Sequence, residues 1–184
     1  MDIGLVFALV VFVVIVGWGI SAYNGLVKGK NRVENAWAQI DVQLQRRHDL
    51  IPNLVETVKG YAAHEQETLD RVIAARNAAL TASGPVQAAE AEGVLTGALG
   101  KLFALSEAYP DLKANSNFEA LQGQLAETEN KVAIARQIYN DSVLKHNNRI
   151  ETIPSNMVAS MAGMEALEYF DAPEGSEAPP SIEF

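Results

Sequence analysis

The sequence predicts an all-α protein with a single N-terminal transmembrane helix that continues into a bundle of long helices. Three observations predict it: a long uncharged apolar stretch comes first, apolar residues after it recur at steps of three and four, and alternating strand patterns are missing. We expect a transmembrane anchor at 1–27, a bundle of about four helices at 28–156, a short apolar helix at 157–170 and an acidic, disordered tail at 171–184.

Composition narrows the class of protein. The 184 residues include no cysteine, which excludes disulfide scaffolds, thiolate nucleophiles, cysteine zinc sites and lipid-modified cysteine anchors. The formal net charge of −9 argues against sequence-independent binding of nucleic acid. No nucleic-acid partner is therefore expected.

Residues 3–22 are long and apolar enough to cross a bilayer. No charged side chain occurs between Asp2 and Lys28, and roughly 20 helical residues span the hydrocarbon of a membrane. A cleaved signal peptide is the alternative, but it begins with a basic segment and has a shorter apolar core. We expect a retained anchor, with Trp18 and Tyr23 at the interface that amphipathic rings prefer.

Basic residues next to the anchor predict its orientation. Lys28, Lys30 and Arg32 follow the span, and no basic residue precedes it. Positive charge is enriched on the cytoplasmic side of membrane proteins. We therefore expect these three side chains at the membrane interface and the bundle in the cytoplasm.

Small residues recur every four positions along the anchor and its exit, at Gly17, Ser21, Gly25 and Gly29. On a continuous helix this spacing stacks them into one groove, which lets another helix approach closely. The alternative is that glycine is simply common in membrane helices. We expect a helix–helix contact along this face.

The first helix continues beyond the anchor. Its apolar stripe steps by four and three for about four heptads, which predicts packing against another helix and is compatible with a supercoil. Because the repeat keeps its phase across Pro52, we expect a kinked but continuous helix. Arg47 is the one charged residue among the stripe positions. We interpret it as one member of an ion pair that fixes the register of the helices, and the sequence does not identify its partner. The apolar members are Val33, Trp37, Ile40, Leu44, Ile51, Leu54, Val58 and Tyr61.

The second and third helices are expected to be shorter. The second runs from about 64 to 80, and a break at 83–85 ends it. The third runs from about 86 to 109 and should be the least stable of the four, because each interior glycine costs roughly 1 kcal/mol relative to alanine. The expected stripe of the second helix is Leu69, Val72, Ile73, Arg76 and Leu80, and the glycines of the third are Gly93, Gly97 and Gly100. A loop is expected from 110 to 115.

The fourth helix is expected from about 117 to 153. Ser116 followed by Glu119 is typical of a capping box, and apolar steps of three and four then continue to Tyr139. Two steps of four in a row, from 135 to 143, form a stutter, and Pro154 ends the helix.

The apolar segment 157–170 either packs on the end of the bundle or contacts a membrane or partner. It lacks Lys and Arg, which would meet anionic lipid, so packing is favoured. The tail, 171–184, is acidic and contains no basic residue, and we expect it to be disordered by itself.

No catalytic, metal or cofactor site is evident. A di-iron bundle site needs two inward Glu-x-x-His pairs, and none of the three histidines has a glutamate three residues before it. His64 and Glu67 share a helical face, but they would supply only two ligands. Phosphate loops and nucleophile elbows are missing too. The polar run 140–149 could hold a substrate, although a solvated helix face explains it better.

Whole phrases of the sequence carry a family resemblance. Residues 31–65 are NRVENAWAQIDVQLQRRHDLIPNLVETVKGYAAHE, residues 109–156 are YPDLKANSNFEALQGQLAETENKVAIARQIYNDSVLKHNNRIETIPSN, and residues 180–184 follow PxIxF. The chain resembles the LemA family of bacterial membrane proteins over nearly its full length.

The resemblance implies a single-pass protein of the inner membrane whose anchor is followed by an antiparallel helical bundle, with no established activity. Some members look like lipoproteins, but a chain without cysteine cannot be anchored that way. Relatives are associated with membrane organisation, including magnetosome membranes, and others occur beside membrane proteases or phosphatase-like domains. No catalytic residue carries over.

Two classes of function follow. The first is a non-enzymatic scaffold that self-associates and organises or shapes the bilayer, with membrane lipid and copies of itself as partners. The alternative is an adaptor that docks and regulates a membrane enzyme, such as a protease or a phosphatase-like protein.

Overall fold

The computed structural model describes residues 3–170, of which 85% are helical and none is in a strand. The helices are α1 (Ile3–Lys59), α2 (Gln66–Thr81), α3 (Gly84–Ser106), α4 (Pro110–Lys113), α5 (Ser116–Glu151) and α6 (Ser155–Met161). The all-α prediction, with a long apolar N-terminal helix that leads into packed helices, is confirmed. The tail at 171–184 lies outside the described residues.

Helix α1 runs without interruption through Pro52, as the unbroken apolar repeat predicts. Proline removes the backbone donor that would bond the carbonyl four residues earlier, which here belongs to His48. The guanidinium Nε of Arg76, on α2, donates to that carbonyl at 2.8 Å. A side chain from another helix thus satisfies the acceptor that Pro52 leaves free, so the helix can continue.

The predicted stripe of α1 is buried. Its aliphatic members are almost fully covered, Trp37 is half-buried, and only Tyr61, which lies beyond the end of the helix, is exposed. The stripe of α5 is confirmed in the same way from Phe118 to Val143, whereas Ile153 is exposed and lies past the end of that helix.

The cap of α5 differs from the prediction. The Oδ1 atom of Asn115 accepts hydrogen bonds from the backbone N–H groups of Asn117 (2.9 Å) and Phe118 (3.1 Å). Asn115 is therefore the N-cap residue, and Ser116 is the first residue of the helix. The capping-box prediction at Ser116 and Glu119 was wrong by one position, because asparagine is an equally strong cap.

Alanines replace two predicted positions on the buried face of α2. Leu69, Val72, Ala75 and Ala79 are buried, whereas Ile73 and Leu80 are exposed. Helices α2 and α3 pack against one another, and alanine faces let two helices approach closely.

Two short helices differ from the prediction, one in its existence and the other in its length. Residues 110–113 form α4, where a loop was predicted. The segment predicted as a helix over 157–170 is helical only to Met161, because Gly163 adopts a left-handed φ of 62°. The N–H of Gly163 bonds the carbonyl of Ser160, and that of Met164 bonds the carbonyl of Ala159, which is a Schellman termination.

Hydrogen bonds hold the non-helical residues that follow α6. The Tyr139 hydroxyl donates to the carbonyl of Glu168 at 2.7 Å. The Asn147 amide donates to the carbonyl of Leu167 and accepts from its N–H, both at 2.9 Å. Backbone groups outside regular helices thus find side-chain partners on α5.

The chain divides into two compact units. Of the described residues, one unit contains Ile3–Trp37 together with Ile138–Glu168, and the other contains Ala38–Gln137 with Tyr169 and Phe170. The apolar core of the second unit includes Ile51, Leu54, Val58, Val72, Leu95, Leu102, Leu112 and Phe118. The segment boundaries expected from the sequence stay predictions.

Candidate functional site

The first part of α1 presents an uninterrupted apolar surface. Every residue from Ile3 to Trp18 is exposed, and α1 is the one helix of the described residues that is long and apolar enough to cross a membrane. Exposed apolar surface costs roughly 25 cal/mol per Å² in water, and a bilayer removes that cost.

The predicted interfacial residues follow on the same helix. Trp18, Tyr23, Lys28, Lys30 and Arg32 are all exposed. Their placement at a membrane surface stays a prediction, since it depends on the position of the bilayer along the helix.

Helix α5 covers the part of the small-residue face that contains Gly25 and Gly29. A Cβ atom at Gly29 would lie 2.9 Å from Nδ1 of His146, and one at Gly25 would lie 3.6 Å from Nη1 of Arg149. The same Nη1 donates a 2.9 Å hydrogen bond to the carbonyl of Gly25. The glycines thus permit a close approach within the chain, whereas the position of a Cβ at Gly17 has no atom within 4 Å.

A basic cavity opens along this face. It has a volume of about 520 Å³ and extends from Gly17 and Ile20 to Lys28, Arg32 and Arg149. A second cavity of about 220 Å³ shares Gly29, Arg32 and Arg149 with the first and adds Ser142, Lys145, His146 and Asn148. None of the described residues that line the two cavities is acidic.

The polar run 140–149 is not simply a solvated face. Ser142, His146 and Asn147 are buried, so that interpretation was wrong for them. His146 is only 2% exposed, and its Nδ1 atom has no hydrogen-bond partner among the described residues. Burial, and then the positive charges of Arg149 and Lys30, lower the pKa of His146 below its usual value of 6.5.

Arg47 is the centre of a buried polar network. The residue is 3% exposed, and its guanidinium donates to Glu92 at 3.0 Å, to Thr96 at 2.9 Å and to Glu129 at 2.6 Å. Nε2 of His48 contacts the other oxygen of Glu92 at 2.5 Å. The sequence indicated that Arg47 is paired; the structure supplies partners on α3 and α5.

A third cavity, of about 380 Å³, lies beside Arg47. Thr96, Gly100, Phe103 and Glu129 contribute to its lining. The guanidinium is already neutralised by carboxylates, so this cavity offers no free cation to a ligand.

Sequence reasoning missed Glu92, His48 and His146. Glu92 is the strongest omission, since a glutamate on the buried face of an alanine-rich helix is a signal for an ion pair. His146 and Asn147 lie three and four residues after Val143, the spacing that places them on its buried face.

The residues weighed as a metal site behave as surface groups. Glu67 forms an ion pair with Arg71 on the same helix, and His64 is exposed. Among residues 3–170 no group of three or more His, Asp or Glu side chains could hold a metal ion.

Comparison with known proteins adds the family. The LemA family model matches residues 36–184. The chain belongs to the LemA family. This membership explains why the quoted phrases of the α1 and α5 segments resemble that family.

Individual LemA-family relatives are distant. Magnetosome protein MamQ 1 and magnetosome protein MamQ 2 of Paramagnetospirillum magneticum are each 25% identical over 183 residues, which cover 85% of this chain and 67% of the relative. Protein LemA of Metamycoplasma hominis is 26% identical over 155 residues, with 82% and 69% covered. Together with the apolar α1, these relatives point to a membrane location.

Proposed function

We propose that this LemA-family chain is a non-enzymatic, single-pass scaffold of the inner membrane that self-associates and organises or shapes the bilayer, with its bundle in the cytoplasm. The observation that carries the proposal is the exposed apolar surface of α1 over residues 3–18. Relatives named as magnetosome proteins support a role at a membrane-bounded structure.

Self-association would use the part of the small-residue face that this chain leaves uncovered. Gly25 and Gly29 contact α5 of the same chain, so they are not free to receive a second copy. Gly17 is open, and Ser21 lies one turn further along the same face. Lipid tails are as apolar as leucine, so helices associate in a bilayer where small residues permit close backbone approach.

Single-cysteine crosslinking tests this contact, because the parent chain contains no cysteine. In native membranes Ser21→Cys should form a disulfide-linked dimer on mild oxidation. Gly19→Cys is the matched control, since a Cβ at Gly19 also meets no atom within 4 Å and the position lies roughly 160° from Ser21 around the helix. Equal crosslinking at both positions, or none at Ser21, would contradict the proposed interface.

A bulky substitution tests the same contact in the opposite direction. Gly17→Leu should disperse the assembly on native mass measurement, and Gly19→Leu should not. If both variants keep the parent's mass, and that mass is one chain bound stoichiometrically to a different membrane protein, the adaptor function replaces the scaffold.

A further inference from the structure

The basic cavity along α1 carries an uncompensated positive charge. Among residues 3–170, no carboxylate lies within 4.0 Å of Lys28, Arg32, Lys145 or Arg149, whereas Lys30 has Glu34 at 3.9 Å. A cluster of like charges attracts a mobile anion and is stabilised by one. The concentration of unpaired cations in a chain of net charge −9 therefore indicates a site for an anion.

A buried polar atom at the same place also lacks a partner. Nδ1 of His146 lies against Gly29, which lines both cavities, and the residue is 98% covered. A buried nitrogen without a hydrogen bond is costly. His146 lines the smaller cavity and not the larger one, and an oxygen acceptor there would satisfy Nδ1 in the tautomer that carries its hydrogen on that atom.

Several features place the cavity at the level of a membrane surface. Lys28 is the first charged residue after the uncharged stretch, and the bond from Arg149 to the Gly25 carbonyl holds the end of α5 beside the same turn of α1. The residues that follow α5 expose three apolar side chains: Ile153 is 84% exposed, Met157 65% and Met161 90%. Such side chains are typical of a surface that contacts the headgroup boundary.

The cavity is amphipathic along its length. One end is formed by Gly17 and Ile20, inside the apolar stretch, and the other by Lys28, Arg32 and Arg149. A soluble anion would use only the basic end. A phospholipid has an acyl chain for the first end and a phosphate for the second.

We propose that this cavity binds one anionic phospholipid, with its headgroup phosphate held by Lys28, Arg32 and Arg149. The glycines keep α1 thin at this point, so the headgroup reaches the cations of both helices. The site depends on α1 spanning the membrane. Its apolar end includes Gly17 and Ser21, the face proposed above for self-association, so a bound acyl chain and a second copy of α1 would exclude one another there. The lipid should therefore be retained on the single chain, and either idea can fail while the other stands.

Native mass measurement of the full-length protein in mild detergent tests the site. Phosphatidylglycerol should remain bound as a single adduct, whereas phosphatidylcholine with the same acyl chains should dissociate at the same collision energy and concentration. The double variant Lys28→Gln with Arg32→Gln should bind phosphatidylglycerol roughly 25-fold more weakly, because each lost basic charge near an anionic surface weakens binding about fivefold. Neither side chain makes a hydrogen bond or an ion pair with the part of the chain that the structure describes, so the helical content should not change.

Lys30→Gln is the matched control. Lys30 lies between the two changed residues in the sequence but lines neither cavity, and it should keep the parent's affinity. If Lys30→Gln also weakens binding about fivefold, the loss expected for each charge in the double variant, the attraction is general to positive charge and the site is overturned.

Inorganic phosphate distinguishes the two sources of the same chemistry. If the lipid is the ligand, phosphate at millimolar concentration should not displace phosphatidylglycerol. Displacement by phosphate at concentrations equal to the lipid would assign the site to a free anion, and equal retention of both lipids would refute selective headgroup binding.

Discussion

Replacing Arg47 with leucine gives the sharpest test of the buried network. The change removes the guanidinium of Arg47, a residue that is 3% exposed, and leaves Glu92, also buried, with His48 as its remaining side-chain contact. Removing one partner of a buried ion pair costs about 3 to 5 kcal/mol, because the other charge stays buried. The contact from His48 offsets part of this loss, so we expect the free energy of unfolding to fall by about 2 to 4 kcal/mol.

The ion pair between Arg47 and Glu129 contributes little to the expected loss of stability. Glu129 is half-exposed, and an ion pair with an exposed partner contributes about 1 kcal/mol or less. Leucine at both Arg47 and Glu92 removes the buried charges together. The double variant should recover most of the stability lost by Arg47→Leu, since apolar packing can replace a buried pair without loss.

Denaturant unfolding of the full-length protein in detergent, followed by circular dichroism at the helical band, measures these differences. Arg46→Leu is the matched control, because Arg46 is the exposed neighbour of Arg47 and should change stability by less than about 0.5 kcal/mol.

Two results would refute the reasoning. If Arg47→Leu and Arg46→Leu unfold at the same denaturant concentration, the network does not stabilise the fold. If Arg47→Leu abolishes a cellular function while assembly and unfolding are unchanged, Arg47 contacts a ligand and its structural role has been misassigned.

Gly29→Ala should lower the melting temperature, since its Cβ would lie 2.9 Å from the buried ring of His146. Gly25→Ala has its nearest contact at 3.6 Å and should instead gain up to about 1 kcal/mol from the higher helix propensity of alanine. Equal shifts in the melting temperatures of the two variants would contradict the contact between Gly29 and His146. The lowered pKa of His146 means that the unfolded chain binds a proton more readily than the folded one, so stability should fall as the pH drops through about 6.5 and His146→Gln should flatten that dependence. Protease added to intact spheroplasts should leave a C-terminal tag uncut, and complete digestion would place the bundle on the other side of the membrane. Elemental analysis of protein purified without a histidine tag should find transition metal far below one per chain; a stoichiometric metal lost on changing His64 and Glu67 would overturn this.

Local patterns were sufficient to predict the long helices and the buried faces of α1 and α5, but not the full buried face of α2 or the short helix α4. The steps of three and four along α1 named its buried stripe correctly because helical periodicity places those residues on one side whatever packs there. The same argument carried α1 through Pro52, although the donor that satisfies the His48 carbonyl comes from Arg76 and could not be named. The helix ends were less predictable: Asn115 caps α5 in place of Ser116, since neighbouring polar residues compete for the same backbone N–H groups.

The identity of each partner was decided only by tertiary structure. Spacing singled out Arg47 as an exception in its stripe, but Glu92 and Glu129 lie 45 and 82 residues away. The position of Glu92 on the buried face of α3 is a signal for an ion pair, yet it does not say which cation is the partner. Gly25 and Gly29 likewise predicted a close helix contact without naming the helix. Their partner is α5 of the same chain. Its approach buries His146 and places Lys145 and Arg149, from the same polar run 140–149, along the basic cavities. Periodicity is fixed by the geometry of one helix, whereas pairing depends on which faces the whole chain can bury together, and that is a property of the fold.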